Sequence, residues 1–192
     1  YILRHKQGEL VAPSQITNEW LVNHKEFEIN KPKLLYVGRI RKEKGIFSLL
    51  KLIKEGEADL TLSIVGAEKN SLTQIVQNNV YVYEVENNEQ NLIKFYDEHN
   101  IFILPSYTEG HPMVLLEALS RLRPVIIFKD IEHVIGDKKG IFVADRNFNS
   151  FLNQINFIKK NYRTIQQEMK KNKLPTKEEF LSRFSDLISK SS

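Results

Sequence analysis

Short apolar runs alternate along this chain with longer segments whose apolar positions recur every three or four residues. That alternation predicts strands and helices taken in turn, and hence a parallel sheet with helices on both faces. The strand-like runs are Lys33 to Ile40, Leu60 to Val65, Val80 to Val85, Ile101 to Pro105, Val125 to Phe128 and Gly140 to Val143. Between them, Ile46 to Glu55 carries Phe47, Leu49, Leu50 and Ile53 at helical spacing, and Ser71 to Gln77 reads as a short helix. Asn91 to His99 has a stripe of Leu92, Ile93, Phe95 and Tyr96, and Met113 to Leu122 is a further helix. From Phe148 the pattern is helical, broken at Pro175 before a last amphipathic segment with Phe180, Phe184, Leu187 and Ile188. The expected fold class is α/β, a Rossmann-like parallel sheet of about six strands.

Composition narrows the class. With 192 residues, 41% of them hydrophobic, the chain can bury one ordinary core. Cysteine is absent, which excludes disulfides and thiolate metal sites and fits a reducing cytoplasm. No apolar run approaches the ~18 residues of a membrane span. The opening Tyr1-Ile2-Leu3-Arg4-His5 has neither an initiator methionine nor a signal-peptide layout, so we expect a piece of a longer protein. The net charge of +4 is unevenly spread. Arg39, Arg41, Lys42 and Lys44 crowd one loop around Glu43, where they would attract phosphate. Lys159, Lys160, Arg163, Lys170, Lys171 and Lys173 thicken the C-terminal third, suited to an anionic membrane surface or simply to a solvated helix face. Aromatic residues are not interleaved with the basic ones, which argues against nucleic acid, and no Gly-x-Gly-x-x-Gly follows a strand, which argues against a dinucleotide.

The stretch Pro105-Ser-Tyr-Thr-Glu-Gly-His-Pro-Met-Val-Leu-Leu-Glu117 carries the chemistry. It sets Glu109 in a loop and Glu117 on the following helix, across a strand-to-helix turn that Gly110 allows and Pro112 starts. The amides of Gly110, His111 and Met113, with the positive end of the helix dipole, form a site for an anion such as a diphosphate. No Asp-x-Asp pair is present to hold a metal, and the five histidines show no ligand-like spacing, so no cofactor is expected.

This segment resembles the donor-domain signature of retaining glycosyltransferases of the GT-B fold: Glu109 and Glu117 in Glu-x7-Glu spacing, Gly110 and Pro112 between them, Ala118 after, and Pro124-Val125-Ile126 downstream. Tyr36-Val37-Gly38-Arg39-Ile40 followed by Lys44-Gly45 resembles the same family's glycine-arginine loop. The resemblance implies that Arg39 and Lys44 neutralise the departing diphosphate, a job for fixed cations where no metal is bound. It implies that Glu117 accepts hydrogen bonds from the ribose hydroxyls and that Glu109 lies beside the transferred sugar. Gly38, Ser106, Tyr107, Gly110, His111, Pro112 and Met113 would line the donor, with the His111 ring against the sugar. For Glu117, an i,i+4 pair with Arg121 is the structural alternative.

The same resemblance implies a layout in which residues 1–30 are a hinge and the edge of an acceptor-binding half, with its last strand around Glu9 to Ser14 and a helix around Ile16 to Val22, residues 31–172 bind the sugar nucleotide, and residues 173–192 form a helical tail. The expected partners are a nucleotide-sugar donor and a glycan or glycolipid acceptor. The expected setting is bacterial surface polysaccharide or glycolipid synthesis, in the cytoplasm or peripherally at its membrane. Two departures stand out: Leu122 replaces a glycine usual in the family, and Phe128-Lys129-Asp130-Ile131 replaces a Gly-Gly turn. A non-catalytic sugar-nucleotide-binding module and a GT-B-like epimerase are the rival readings; the latter would need an acid-base set that the sequence does not display.

Overall fold

The structure, a computed structural model, describes residues 13–25, 29–56, 59–67 and 78–191, without the side chains of 190 and 191. Six strands form one parallel sheet: β1 (Lys33–Val37), β2 (Thr61–Ala67), β3 (Val80–Glu84), β4 (Ile101–Leu104), β5 (Val125–Phe128) and β6 (Ile141–Ala144). Their order is β3-β2-β1-β4-β5-β6. Every residue of β4 and β5 is buried, as continuous apolar runs require when both sheet faces are covered. The helices are α1 (Ile46–Glu55), α2 (Glu89–Glu98), α3 (Met113–Ser120), α4 (Phe148–Met169) and α5 (Lys177–Ser191). Because parallel crossovers are right-handed, reversal of the strand order beside β1 puts α1 and α2 on opposite faces. Accordingly α1 packs against α4, and α3 packs against a 3-10 turn at Asn18–Leu21.

The expected boundaries shift for local reasons. The first strand stops at Val37, because Gly38 adopts φ +151° and its amide donates to the Val65 carbonyl (2.9 Å). The helix expected to reach Leu122 ends at Ser120 in a Schellman closure, with Arg123 N–H donating to Ala118 O (2.9 Å) and Leu122 N–H to Leu119 O (3.0 Å). Leu122 takes the left-handed position (φ +56°) that glycine normally fills there. The turn at Phe128 to Ile131 becomes a 3-10 segment, Lys129–Val134. The helix expected across Ile16 to Val22 is only the 3-10 turn, and the strand and helix expected near 9–12 and at 71–77 lie outside the described residues.

The segment 13–25 lies against this core. Ile16 and Trp20 are 0% and 3% exposed, and Trp20 meets Tyr96 edge-on at 5.5 Å. Two arginines, each 1% exposed, clamp it. Arg121 donates to the carbonyls of Trp20 (2.9 Å), Val22 (2.7 Å) and Asn23 (3.1 Å), and Arg123 donates twice to Lys25 O (3.1 Å each). Asp97 completes the cluster by accepting from Arg121 Nε (3.0 Å) and Nη2 (2.9 Å) and from Arg123 Nη2 (3.3 Å).

Candidate functional site

The two motifs converge where the strand order reverses. The loop after β1 carries Gly38 to Lys44, and the loop after its neighbour β4 carries Pro105 to Pro112, so both sit at the C-terminal edge of the sheet. Ligands of open parallel sheets bind at such a switch point. Tyr107 N–H donates to Glu43 O (3.0 Å) and joins the two loops. Gly45 makes the close approach possible: it holds φ +67°, and a Cβ there would stand 1.8 Å from Pro105 O.

The contact between the motifs is a salt bridge. Lys44 Nζ donates to Glu109 Oε1 at 2.8 Å, and Ser106 Oγ donates to the same oxygen at 2.6 Å. Among the described residues Glu109 Oε2 has no hydrogen bond, so one carboxylate oxygen is held and the other is available. The Arg39 guanidinium is exposed and makes no hydrogen bond or ion pair among the described residues, while its carbonyl accepts from Tyr36 OH (2.8 Å). Burial, reinforced by the Glu109 and Glu43 carboxylates, pushes the Tyr36 hydroxyl pKa far up and keeps it a donor. The Gly38 amide is spent on β2.

The second half of the motif lies across the N-terminus of α3. Pro112 is the N-cap rather than the first helical residue (φ −73°, ψ 108°). The amides of Gly110, His111 and Met113 make no hydrogen bond among the described residues, as an anion site needs. A Cβ added at Gly110 would meet nothing within 4 Å among the described residues, so the backbone of the turn is open on that side. The His111 ring turns away from the turn, with Nε2–H donating to Pro13 O (2.9 Å), and His133 Nε2–H donates to the Glu109 carbonyl (2.8 Å). Glu117 is 7% exposed and accepts from Tyr96 OH (2.8 Å). Burial raises its pKa, and the Tyr96 bond partly restrains the shift. Arg121 pairs with Asp97, not with Glu117, so the i,i+4 alternative is set aside.

Sequence reading missed three contributors. Arg146, just beyond β6, reaches into the Ser106 loop; His133 fixes the Glu109 backbone; Tyr36 supports Arg39 from beneath. Only the Asp97 cluster had a signal, in two arginines flanking Leu122 within an apolar stretch. No group of three His, Asp or Glu side chains that could hold a metal occurs among the described residues. No helix among them is long and apolar enough to cross a membrane. A cavity of about 650 Å³ lined by residues such as Leu21, His24, Lys173 and Phe180 lies beside the start of α5 and shares none of these site residues.

A Rossmann-like six-stranded parallel sheet in this strand order matches the fold of GT-B glycosyltransferase structures. Residues 21–174 match the family model described as glycosyl transferases group 1, and the chain belongs to that family. It is 30% identical over 135 residues to the capsular polysaccharide biosynthesis glycosyltransferase CapM of Staphylococcus aureus, covering 62% of this chain and 34% of CapM. The fold of Anabaena HepE in complex with UDP and glucose superposes with a TM-score of 0.68 at 15% identity, covering 83% of this chain and 48% of HepE. The lipopolysaccharide outer core galactosyltransferase WaaB superposes with a TM-score of 0.65 at 18% identity, over 96% of this chain and 56% of WaaB. The chain thus spans about a third of the length of CapM and about half of each solved structure.

Proposed function

We propose that this chain is the donor-binding half of a retaining glycosyltransferase that holds a nucleoside-diphosphate sugar at the switch point between β1 and β4. The observation that carries the reading is the Lys44–Glu109–Ser106 cluster in the loop before α3, where the amides of Gly110, His111 and Met113 and the Arg39 guanidinium have no partner among the described residues. Arg39 and Lys44 grip the diphosphate and stabilise it as it leaves, assisted by the amides of Gly110, His111 and Met113. Glu117, fixed by Tyr96, accepts from the ribose. Glu109 offers its open Oε2 to the sugar or to positive charge developing at the anomeric carbon. Gly38 and Pro112 shape the two loops, and His111 swings in only when its bond to Pro13 is released. Fixed cations serve in place of a metal, so no cofactor is required.

The acceptor, a glycan or glycolipid of bacterial surface polysaccharide synthesis, binds to a second half to which residues 1–30 belong. Residues 31–172 hold the donor, and 173–192 form a tail. CapM and the lipopolysaccharide enzyme WaaB support the substrate class. The work takes place in the cytoplasm at the membrane face, where the basic side of α4, including exposed Lys159 and Lys160, meets anionic lipid. Calorimetric titration of the 192-residue chain with uridine, guanosine, adenosine and cytidine diphosphates, with and without EDTA, tests the proposal. One diphosphate should bind regardless of chelator and weaken in Glu117→Gln. Failure of all four would overturn it.

A further inference from the structure

We infer that Arg146 is the positioning residue that holds the Ser106–Glu109 turn in register with Lys44. Its side chain is 18% exposed and touches three segments distant in sequence. Nε donates to Asp130 Oδ2 (2.7 Å), just after β5, and Nη2 donates to the Ser106 carbonyl (2.7 Å), just after β4. The guanidinium carbon lies 3.8 Å from the centroid of the Tyr107 ring and 4.6 Å from that of Phe128. The third arm, Nη1, is buried without a hydrogen-bond partner among the described residues and faces Gly45, where an added Cβ would stand 3.4 Å from it. A buried donor left unpaired calls for an explanation. Here the plane of the group is dictated by its other two arms and by the ring faces, and Nη1 is carried along against the Lys44–Gly45 peptide.

The consequence reaches the site through Ser106. Arg146 fixes the carbonyl of Ser106, while the hydroxyl of the same residue holds Glu109 Oε1, the oxygen that Lys44 also grips. Tyr107, lying against the guanidinium, donates its amide N–H to Glu43 O in the turn that presents Lys44. One planar cation therefore sets both loops that carry the phosphate-side residues and touches nothing on the Glu117 side. Lysine cannot replace it, because a single ammonium cannot bond Asp130 and Ser106 in one plane while lying flat on a ring.

This inference rests on the proposed donor site, and its test has one arm free of ligand. Hydrogen exchange on Arg146→Ala should speed up in residues 105–110 and 42–45 and stay unchanged in β4 and α3. Guanidinium ion at low, non-denaturing concentration should restore slow exchange by refilling the vacated slot. In the binding arm, Arg146→Ala should lower the preference for a nucleoside diphosphate over its monophosphate by about tenfold, the loss of one charged contact's register. Affinity for the nucleoside itself should hold, and Arg146→Lys should fall between. Unchanged exchange in Arg146→Ala would overturn the positioning role. Equal weakening of mono- and diphosphate binding would also overturn it, marking a general loss of fold. If the unmodified chain ignores every diphosphate while the exchange arm behaves as expected, the donor-site reading falls and the brace stands.

Discussion

Replacing Lys44 by alanine should do more than delete a phosphate ligand, because the lysine also masks Glu109. The two side chains meet at 2.8 Å with exposures of 29% and 10%, so the pair presents little net field to an arriving anion. A charged hydrogen bond to phosphate is worth about 1.5–3 kcal/mol. Its loss is compounded by a carboxylate left without its cation. One unit charge about 7 Å from a phosphate, at a dielectric between the surface value of ~20 and that of water, adds about 1 kcal/mol of repulsion. Lys44→Ala should therefore weaken diphosphate binding by about 2.5–4 kcal/mol, or two to three orders of magnitude in Kd. In Lys44→Ala/Glu109→Ala the repulsive part disappears, so the double variant should bind about fivefold more tightly than the single one. Glu109→Gln alone should tighten binding, since Lys44 is then free. Calorimetry at low salt reads all three affinities. A double variant that binds no better than Lys44→Ala would refute the reasoning, for it would mean that the phosphate does not feel Glu109.

Three other outcomes follow from the same geometry. Asp97→Asn removes the negative charge shared by two buried guanidinium groups and should cost about 3–5 kcal/mol, lowering Tm by about 6–20 °C; a change under about 1 kcal/mol in urea unfolding would contradict the cluster's role. Burial raises the Glu117 pKa above 4.5, so its charge costs stability as pH rises through that window, whereas ribose binding needs the charge and fades as pH falls through it. Tyr96→Phe removes the bond that restrains the shift and should move the acid limb of nucleoside affinity to higher pH; an unmoved limb in a titration series would speak against Glu117 as the ribose acceptor. Burial also holds the His24 and His99 pKa values below 6.5, so the unfolded chain takes up protons first on acidification. Their contribution is full above that pH and is lost as pH falls below it, and His24→Gln/His99→Gln should flatten the difference in urea midpoint between pH about 7.5 and about 5.5.

What the sequence revealed and what it hid divide along physical lines. Strand positions were legible because a fully covered parallel strand must be continuously apolar, as in Ile101–Leu104 and Val125–Phe128. The basic and acidic loops were legible because glycine and proline fix where the backbone turns, and in the structure Lys44, Ser106 and Glu109 meet. Element ends were not, since they depend on partners far away: the carbonyls taken by Arg121, or the amide that Gly38 gives to Val65. His111 was expected at the sugar, yet its ring holds Pro13, a residue 98 positions distant that no local pattern could supply. Arg146 was invisible for a related reason: its role arises from two loops separated from it by 16 and 40 residues.

The clamp formed by Arg121 and Arg123 sets a timetable for synthesis. The carbonyls they hold lie 98 to 102 residues earlier in the chain. On a ribosome adding ~5–20 residues per second, residues 19–25 emerge about 5–20 s before the arginines that will seat them. Before then Tyr96 and β4 have been made, but the carbonyls of Trp20, Val22, Asn23 and Lys25 lack the guanidinium groups that seat them. Residues 19–25, made before the sheet, are thus among the last to settle, and nascent chains stalled before Arg121 should be cut readily near Trp20 while chains stalled well past Met169 resist. Equal resistance in both would show that the first segment finds shelter without its clamp.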